Sequence, residues 1–374
     1  MRVLPMEHKV LFTASTFSHI FNFHLPYLRA FHEHGWIVHV ACGGEIISLG
    51  EADKTVFLPI TKKMFSYKNL LAARILRQEI EKEHYDLVYT HTSLAAFFSR
   101  LAVFTSDWKP KVVNMVHGYL FDDDTAFIKK ELLFTAEKMF ALQTDLVLTM
   151  NRYDTDIAER FHLGKKVKKI PGVGVDFSRF SADTSSQMVR KNLNISDDAF
   201  VMIYPAEFSK RKNQQMLIRS MTLLPHKAIL VLPGEGKLIN RCRILAKKIG
   251  VSERVFFPGY IRDIGPWYKM ADVAVSASRS EGLPFNIIEA MFFDIPVVAS
   301  AVKGHVDLIN PEKNGLLFPF DDYNAFSKEI KRLIASPEMR KKLGDAAVEE
   351  AKKYSLEMAF PEVWRQLQDT LLLN

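Results

Sequence analysis

The chain has 374 residues, of which 48% are hydrophobic and 25% charged, and it carries a formal net charge of +7. This length and composition predict a globular protein of two or three domains. The small positive excess gives no indication of nucleic-acid binding, although it suits an anionic ligand or an anionic membrane surface.

Only two cysteines are present, Cys42 and Cys242, so the sequence shows neither a disulfide framework nor a cysteine-based metal site, which fits a reducing compartment. The segment before the first predicted strand is too short and too charged for a signal peptide. No stretch approaches about 18 uninterrupted apolar residues, and we therefore expect no transmembrane helix.

In the first half of the chain, apolar strand patterns alternate with helical ones. Helices are expected near 25–35, where Gly35 is the expected cap, and at 67–84. Strands are predicted at 9–14, 36–41, 86–90, 111–116 and 145–150. Alternation of this kind is typical of a parallel, doubly wound sheet.

The pattern restarts after residues 171–176. A polar, loosely patterned stretch at 181–199 precedes a new first strand at 200–204, and further βα units continue to about residue 335. A last helix is predicted over 338–373, with a bend at Pro361. Two Rossmann-like halves of this kind place a ligand cleft between them when they face each other.

The loop and helix of residues 278–290 carry the most specific chemistry. They follow a strand at 271–277 and precede a strand at 296–300, so the loop lies where open α/β sheets bind ligands. A helix that begins near Pro284 points its first backbone N–H groups at an anion. Glu281 and Glu289 would repel a phosphate, but they can accept hydrogen bonds from hydroxyls on either side of it. The alternative is that both are ordinary solvated residues.

Residues 280–300 read SEGLPFNIIEAMFFDIPVVAS and contain the spacing Glu-x7-Glu. This segment resembles the bacterial group 1 family (family 4) of retaining GT-B glycosyltransferases, especially the exopolysaccharide and capsule branch. The resemblance covers nearly the whole chain. It implies an α/β GT-B fold, with two Rossmann-like domains facing each other across a cleft. It also implies that Glu281 lies by the donor sugar and that Glu289 binds the ribose. The donor diphosphate or sugar is expected to meet the segment formed by Gly282, Leu283, Pro284 and Phe285.

Three consecutive cations, Lys210, Arg211 and Lys212, follow the first strand of the second half. At a strand-to-helix loop such cations can neutralise a diphosphate and stabilise it as it leaves, whereas the alternative is an exposed charge run. The resemblance assigns the phosphate contact to Lys212. This chain has Glu207 where many family members have an Arg, which leaves Arg211 or Lys210 as the second cation.

His117 follows the strand at 111–116. A lone His is usually structural, but the His-Gly motif of the family implies that His117 contacts the donor sugar. Asp122, Asp123 and Asp124 invite a metal interpretation. Because they precede a predicted helix near Ala126, we interpret them as helix caps. The resemblance likewise implies that the transfer step needs no metal and no cofactor.

Two further segments are candidates for ligand contacts. The loop after the first strand lacks the Gly-Gly pair of many family members, and it is expected to line the acceptor site through Ser15, Asn22 and His24. Gly234 and Gly236 follow a strand of the second half. They either let the backbone approach the nucleotide or form an ordinary tight turn.

Taken together, the motifs predict a retaining hexosyltransferase (EC 2.4.1.-) with Glu281, His117 and Lys212 as its catalytic residues. The donor is a nucleotide sugar, such as a UDP-linked hexose or N-acetylhexosamine, and the acceptor a polyprenyl-diphosphate-linked oligosaccharide in surface polysaccharide assembly. The expected location is the cytoplasm, at the inner face of the cytoplasmic membrane. The cationic and apolar segment 62–68 is either a peripheral membrane contact or a solvated helix flank.

The predicted domains are 1–176 on the acceptor side, 177–352 for the donor nucleotide, and a helix at 353–374 that crosses back to the first domain. Two alternative functions remain open. A GT-B epimerase would interconvert a UDP-sugar without an acceptor, and a non-catalytic GT-B partner would only assist another transferase. Glu207 and the missing Gly-Gly pair favour the second alternative, whereas the candidate catalytic residues oppose it.

Overall fold

The computed structural model describes residues 7–123, 125–180 and 186–372. The chain forms two compact units. Unit 1 comprises Met1–Gly174 with Ala359–Asn374, and unit 2 comprises Val175–Met358. Each unit contains one parallel β-sheet with connecting helices.

Unit 1 has a seven-stranded sheet in the order β3-β2-β1-β4-β5-β6-β7. The central strands β1 and β4 are buried almost throughout, because helices cover them, whereas the edge strands β3 and β7 are partly exposed. The strands are β1 Lys9–Ala14, β2 Ile37–Cys42, β3 Lys54–Phe57, β4 Leu87–His91, β5 Lys111–Val116, β6 Leu146–Thr149 and β7 Lys166–Lys169. The helices are α1 Phe17–Phe23, α2 Leu25–Glu33, α3 Tyr67–Glu83, α4 Ser93–Thr105, α5 Phe127–Met139 and α6 Arg152–Arg160.

Unit 2 has a six-stranded sheet in the order β10-β9-β8-β11-β12-β13. Its strands are β8 Phe200–Ile203, β9 Ala228–Pro233, β10 Val255–Gly259, β11 Val273–Ser276, β12 Val297–Ser300 and β13 Leu316–Phe318. Its helices are α7 Ser186–Asn192, α8 Gln214–Ser220, α9 Ile239–Lys248, α10 Gly265–Lys269, α11 Phe285–Phe292, α12 His305–Leu308, α13 Tyr323–Ala335 and α14 Pro337–Lys352.

Both sheets reverse their strand order once. In unit 1 the chain winds outward from β1 in one direction and from β4 in the other, and in unit 2 the strands β8 and β11 play the same part. The loops that leave two such neighbouring strands diverge, which opens a crevice at the carboxyl edge of the sheet. Each unit therefore has one place where its fold favours a ligand.

The carboxyl-terminal part of the chain contains two helices, although the sequence pattern predicted one helix over 338–373. The helix α14 ends at Lys352, and α15 spans Leu356–Leu372 with Pro361 inside it. Between them, Val175 and Ser355 form an isolated β-bridge, which fixes an extended backbone that no helix can adopt. The prediction of a single helix was wrong for this reason.

Within unit 1, aromatic side chains of α15 contact α2. The ring centroids of Phe360 and Tyr27 lie 5.1 Å apart, and those of Trp364 and Phe31 lie 4.8 Å apart in an edge-to-face arrangement. Such pairs stabilise by about 0.5–1.5 kcal/mol beyond the area that they bury. The last helix is therefore part of the core of unit 1.

Candidate functional site

In unit 2, two loops meet at the carboxyl edge of the sheet, where β8 and β11 are neighbours. The loop after β8 carries Arg211 and Lys212, and the loop after β11 carries Glu281. The backbone N–H of Arg279 donates to the carbonyl oxygen of Arg211 at 2.8 Å, which joins the loops directly. Residues about 70 positions apart in the chain thus come together at the crevice of this sheet.

Glu281 connects the two loops through its carboxylate, and its side chain is only 7% exposed. Its Oε1 accepts hydrogen bonds from Lys212 Nζ at 2.6 Å and from Ser278 Oγ at 2.5 Å, and its Oε2 accepts one from Arg211 Nη1 at 2.5 Å. A carboxylate has about four lone-pair positions, so three donors leave capacity for one more hydroxyl. Arg211 is the second cation in contact with Glu281, whereas Lys210 is exposed.

The opposite charges in this group act against burial, which together with the neighbouring Arg211 lowers the pKa of Lys212. Burial alone would raise the pKa of Glu281, but the adjacent Lys212 and Arg211 lower it to about 2. Glu281 is therefore ionised at neutral pH and forms an ion pair with Lys212. The side chain of Lys212 is 11% exposed and that of Arg211 is 49% exposed, so one cation is enclosed and the other reaches solvent.

A chain of hydroxyl groups leads from Glu281 into the core of unit 2. Ser278 Oγ lies 2.8 Å from the hydroxyl of Tyr204, which in turn lies 3.3 Å from Ser276 Oγ. Ser276 Oγ lies 3.1 Å from Nε2 of His305, whose Nδ1 lies 2.8 Å from the carbonyl oxygen of Ser300. A carbonyl oxygen can only accept, so Nδ1 of His305 carries a proton and its Nε2 is free to accept from Ser276.

Burial lowers the pKa of His305 to about 4, so this imidazole is neutral at physiological pH. The buried network holds Ser278 in the orientation in which it donates to Glu281. The hydroxyl of Tyr204 also lies 3.2 Å from the backbone carbonyl oxygen of Lys212, so the network adjoins the cationic loop.

Glycines at this edge face protein backbone. A Cβ atom on Gly304, which has φ +82°, would lie 2.8 Å from the carbonyl oxygen of Glu281. Gly234 and Gly236 have φ +135° and +146°, and Cβ atoms there would lie 2.2 Å from the carbonyl oxygen of Ala206 and 2.6 Å from the backbone of Phe208. The close approach of the two strand-end loops therefore accounts for the last two glycines without any nucleotide.

Glu289 lies one turn inside α11 and contacts groups that the sequence did not indicate. Its Oε2 accepts a hydrogen bond from the hydroxyl of Tyr268 at 3.0 Å, and its Oε1 forms an ion pair with Arg179. Burial raises the pKa of the Glu289 carboxyl, and Arg179 and Tyr268 only partly offset this effect. The Arg179 side chain is 47% exposed. The two glutamates of the Glu-x7-Glu motif thus have pKa values displaced in opposite directions.

The helix α11 begins at the position that the sequence predicted. Pro284 is its N-cap residue and Phe285 its first residue, and the Pro284 side chain forms no capping hydrogen bond. Leu283 and Pro284 are buried, and Gly282 and Phe285 are partly exposed. The side-chain amide of Asn286 donates to the carbonyl oxygen of Pro205 at 3.1 Å, which fixes the helix against the loop after β8.

In unit 1, four histidines converge at the corresponding edge of the sheet, where β1 and β4 are neighbours. His19 and His24 follow β1, His91 ends β4, and His117 follows β5. Nε2 of His19 lies 3.3 Å from Nε2 of His117 and 3.4 Å from Nε2 of His24. His24 and His91 are fully buried, and their ring centroids are 3.8 Å apart.

Burial lowers the pKa of all four imidazoles, to about 4 for His19. Repulsion from neighbouring imidazoles lowers the pKa of His24, His91 and His117 further. The cluster is therefore neutral at physiological pH. Neutral imidazoles can exchange hydrogen bonds with hydroxyl groups or donate lone pairs to a metal ion.

The other predicted acceptor residues lie near this cluster in the chain but differ in environment. Ser15 Oγ lies 2.7 Å from Oγ1 of Thr92, and the backbone N–H of Ser15 also donates to that atom at 3.0 Å. These bonds join the end of β1 to the start of α4. Asn22 is exposed.

The interpretation of the aspartate run as helix caps was wrong for Asp122 and Asp123, while Asp124 lies outside the described residues. The N-cap residue of α5 is Ala126, whose own side chain forms no capping hydrogen bond. Asp122 instead accepts a hydrogen bond from Oγ1 of Thr125 at 2.7 Å, and Asp123 accepts bonds from Lys130 and Tyr153. The backbone N–H of Thr125 donates to the carbonyl oxygen of Asp122 at 3.2 Å, so Asp122 pairs with Thr125 and not with the first amides of α5.

Sequence reasoning missed several of these groups. His91 is the last residue of β4 and His305 is the first residue of the helix after β12, so their positions near strand ends could have indicated them. Arg179 gave no such signal, because it lies in a short 3-10 turn at Phe177–Arg179 and reaches Glu289 from 110 positions away.

Two parallel-sheet Rossmann-like units, one of which carries the Glu-x7-Glu motif beside a cationic loop, define the GT-B class of glycosyltransferase. The sequence model described as Glycosyl transferases group 1 matches residues 185–350, and that described as Glycosyltransferase Family 4 matches residues 27–179. The chain is 34% identical over 357 residues to the Bacillus subtilis (strain 168) protein named "Putative glycosyltransferase EpsD", covering 94% of this chain and 93% of that protein. The protein belongs to the group 1 glycosyltransferases of family 4, as its motifs predicted.

Two other proteins extend this comparison. The chain is 26% identical over 297 residues to the Escherichia coli UDP-Gal:alpha-D-GlcNAc-diphosphoundecaprenol alpha-1,3-galactosyltransferase, covering 76% of each protein. The crystal structure of Anabaena Alr3699/HepE in complex with UDP and glucose has the same fold, with a TM-score of 0.81 and 18% identity over 97% of this chain and 100% of that chain.

Among the helices of residues 7–123, 125–180 and 186–372, none combines the length and the apolar character that crossing a membrane requires.

Proposed function

We propose that this glycosyltransferase transfers a hexose or N-acetylhexosamine from a UDP-sugar to a polyprenyl-diphosphate-linked oligosaccharide, with retention of anomeric configuration, in surface polysaccharide assembly. The E. coli relative supports a UDP donor and a lipid-linked acceptor, because its name specifies both. The Anabaena structure, which contains UDP and glucose, supports the same donor class.

The observation that carries the proposal is the group of Lys212, Arg211 and Glu281 at the crevice of unit 2. An enclosed ammonium and a half-exposed guanidinium are held by one carboxylate. A diphosphate gains negative charge as its bond to the sugar breaks, and cations that are already fixed in position stabilise that charge without reorganising. The two cations are the expected partners of the leaving UDP.

Glu281 is proposed to orient the donor sugar. It has three protein donors and capacity for one more, which suits a single sugar hydroxyl. Because it is ionised and committed to two cations, it is unsuited to proton transfer. The imidazole of His117 is proposed to contact the sugar as a neutral hydrogen-bonding group.

Glu289 is proposed to bind the ribose. Its carboxylate contacts Tyr268 and the half-exposed Arg179, and the ribose hydroxyls would add to these contacts or replace that of Arg179. The segment formed by Gly282, Leu283, Pro284 and Phe285 is proposed to meet the diphosphate at the amino end of α11.

In the transfer step, the acceptor hydroxyl attacks the anomeric carbon from the face that the leaving group departs from. The bond between that carbon and the diphosphate oxygen breaks as the new glycosidic bond forms. The departing phosphate takes the proton of the acceptor hydroxyl, so no side chain has to act as a base. Lys212 and Arg211 supply the positive charge, and we propose that the step needs no metal and no cofactor.

An exposed apolar surface on unit 1 is proposed to contact the cytoplasmic membrane face. Phe65 is 84% exposed, Phe127 75% and Ile128 83%. Met64, next to Phe65, lines the same narrow groove as residues of the loop before α5 and of α5 itself. Lysines lie close to Phe65 in the sequence and directly after Ile128, which suits an anionic lipid surface.

Incubation of the purified protein with a panel of UDP-sugars, with and without lipid-linked diphosphate acceptors, tests the proposal. UDP release and product mass should both depend on the acceptor, and the anomeric configuration of the product should match that of the donor. An epimerised donor without transfer would indicate the epimerase. Binding of a partner transferase without any turnover would indicate the non-catalytic role.

Vesicle co-sedimentation tests the membrane contact separately. The variant Phe65→Ser/Phe127→Ser should lose binding to anionic vesicles. The matched variant Ile244→Ser, which removes a 67% exposed apolar side chain from unit 2, should bind as the wild type does. If both variants bind the vesicles as the wild type does, this surface does not contact the membrane.

A further inference from the structure

The four histidines of unit 1 form a compact set of potential metal ligands. Each offers one ring nitrogen, and these four atoms all lie within 4.8 Å of one another. They come from α1, from the residue between α1 and α2, and from the ends of β4 and β5. The set is therefore made by the fold and not by a local sequence motif.

Two of the six spacings between the four nitrogens match those of a tetrahedral site. Zinc binds histidine nitrogen at about 2.0–2.1 Å, which places two ligands of a tetrahedron about 3.3–3.4 Å apart. Nε2 of His19 lies 3.3 Å from Nε2 of His117 and 3.4 Å from Nε2 of His24. Two of the edges thus already have the length that a bound ion would impose.

Hydrogen bonding alone does not satisfy this cluster. Nε2 of His19 has either one hydrogen or one lone pair, so it can make one good hydrogen bond but not two, although two Nε2 atoms face it. His91 is fully buried, and among residues 7–123, 125–180 and 186–372 neither of its ring nitrogens has a hydrogen-bond partner. Buried polar atoms without a partner are rare in folded proteins because they lose their bonds to water and gain nothing in return.

We propose that His19, His24, His91 and His117 bind one divalent transition-metal ion of the Zn²⁺ type. Imidazole ligands suit Zn²⁺, Ni²⁺, Cu²⁺ and Co²⁺ more than Mg²⁺ or Ca²⁺. The ion would give the lone pairs of His91 and His19 a common partner.

Four protein ligands leave no open position, which is the pattern of structural zinc sites and not of catalytic ones. The ion would tie α1 and α2 to the ends of β4 and β5, and it would take no part in stabilising the diphosphate. With Nε2 of His117 bound to the ion, His117 could meet a sugar hydroxyl only through Nδ1.

Cobalt titration of the metal-stripped, full-length protein tests this site without any donor or acceptor. We expect one Co²⁺ per chain, with the intense visible absorption of a tetrahedral complex that Zn²⁺ displaces. His91→Phe and His24→Phe should each weaken the binding at least about 100-fold, because each removes a ligand. The matched variant His39→Phe removes another buried histidine of unit 1, whose Nδ1 lies 2.7 Å from the Tyr85 hydroxyl, and should bind as the wild type does.

Thermal unfolding provides a second readout. Zn²⁺ should raise the melting temperature of the wild type and of His39→Phe, since a ligand that binds only the folded state stabilises it. It should leave that of His91→Phe unchanged. The proposal is overturned if the wild type gives no tetrahedral cobalt spectrum, or if folded His91→Phe and His24→Phe bind like the wild type, which would mark adventitious binding by surface histidines. Neither result would affect the proposed transfer reaction.

Discussion

Replacement of Lys212 by alanine should lower the transfer rate at least about 100-fold. Lys212 is the more enclosed of the two cations that contact Glu281, with its Nζ 2.6 Å from the carboxylate. Loss of one fixed donor from an enclosed site typically costs about 10²–10³ in kcat, or about 2.7–4 kcal/mol of transition-state stabilisation. Arg211 remains but is half exposed, so solvent weakens its compensation.

The same substitution also removes one partner of a buried ion pair. Such a loss usually destabilises the fold by about 3–5 kcal/mol, because it leaves a buried charge behind. Here Arg211 and Ser278 still donate to Glu281, so we expect a cost below that range. The variant should therefore remain folded, and its defect should lie in chemistry.

The assay is UDP release under saturating donor and acceptor, with kcat and KM determined separately and folding checked by thermal unfolding. Lys210→Ala is the matched control, since Lys210 is exposed in the same loop, and its kcat should stay within about twofold of wild type. If Lys212→Ala is folded and has a near-normal kcat, Lys212 does not stabilise the leaving diphosphate, and enclosure of its charge does not contribute to the rate.

Three further predictions concern neighbouring features. Gly304→Ala should lower transfer without removing any functional group, because its Cβ would displace the backbone of Glu281, and normal kinetics would show that this position is not critical. Glu281 stabilises the fold above pH 4.5, its ordinary pKa, and loses that contribution of up to about 3 kcal/mol as the pH falls towards its folded pKa of about 2. The difference in unfolding free energy between wild type and Glu281→Gln, measured with urea, should therefore shrink as the pH falls from 6 to 3, and a constant difference would contradict this. Arg100→Ala should destabilise unit 1 by about 3–5 kcal/mol, as measured by chemical unfolding. In the wild type the Arg100 guanidinium lies 2.7 Å from the Glu137 carboxylate, and its removal leaves that buried carboxylate without its cation.

In unit 1 the sequence predicted the strands that lie inside the sheet and missed the two at its edges. Central strands such as β8 are buried on both faces, which leaves a continuous apolar run in the sequence. The edge strands β3 and β7, with the sequences KTVF and KVKK, are short and partly exposed, so they carry no such run. Their pairing depends on the neighbouring strand, which a local pattern does not contain.

The residues of the candidate site can be divided in the same way, into those that the local sequence indicates and those that it does not. Glu281, Lys212 and His117 could be found because strand ends and the Glu-x7-Glu spacing indicate them locally. The contact between Glu289 and Arg179 could not, because it depends on where a turn 110 positions away comes to lie. For the same reason, the histidine cluster appeared in the sequence as isolated residues, since only the adjacency of β1, β4 and β5 brings their ends together.

The division of unit 1 between both ends of the chain has a consequence for biosynthesis. The aromatic side chains of Phe360 and Trp364 complete its core against α2, yet they leave the ribosome only after the whole of unit 2. Unit 2 is a single continuous stretch, Val175–Met358, and its sheet can assemble while synthesis continues. Although its first strands emerge before unit 2, unit 1 can close only after translation has reached α15, and until then its apolar surface stays open to aggregation.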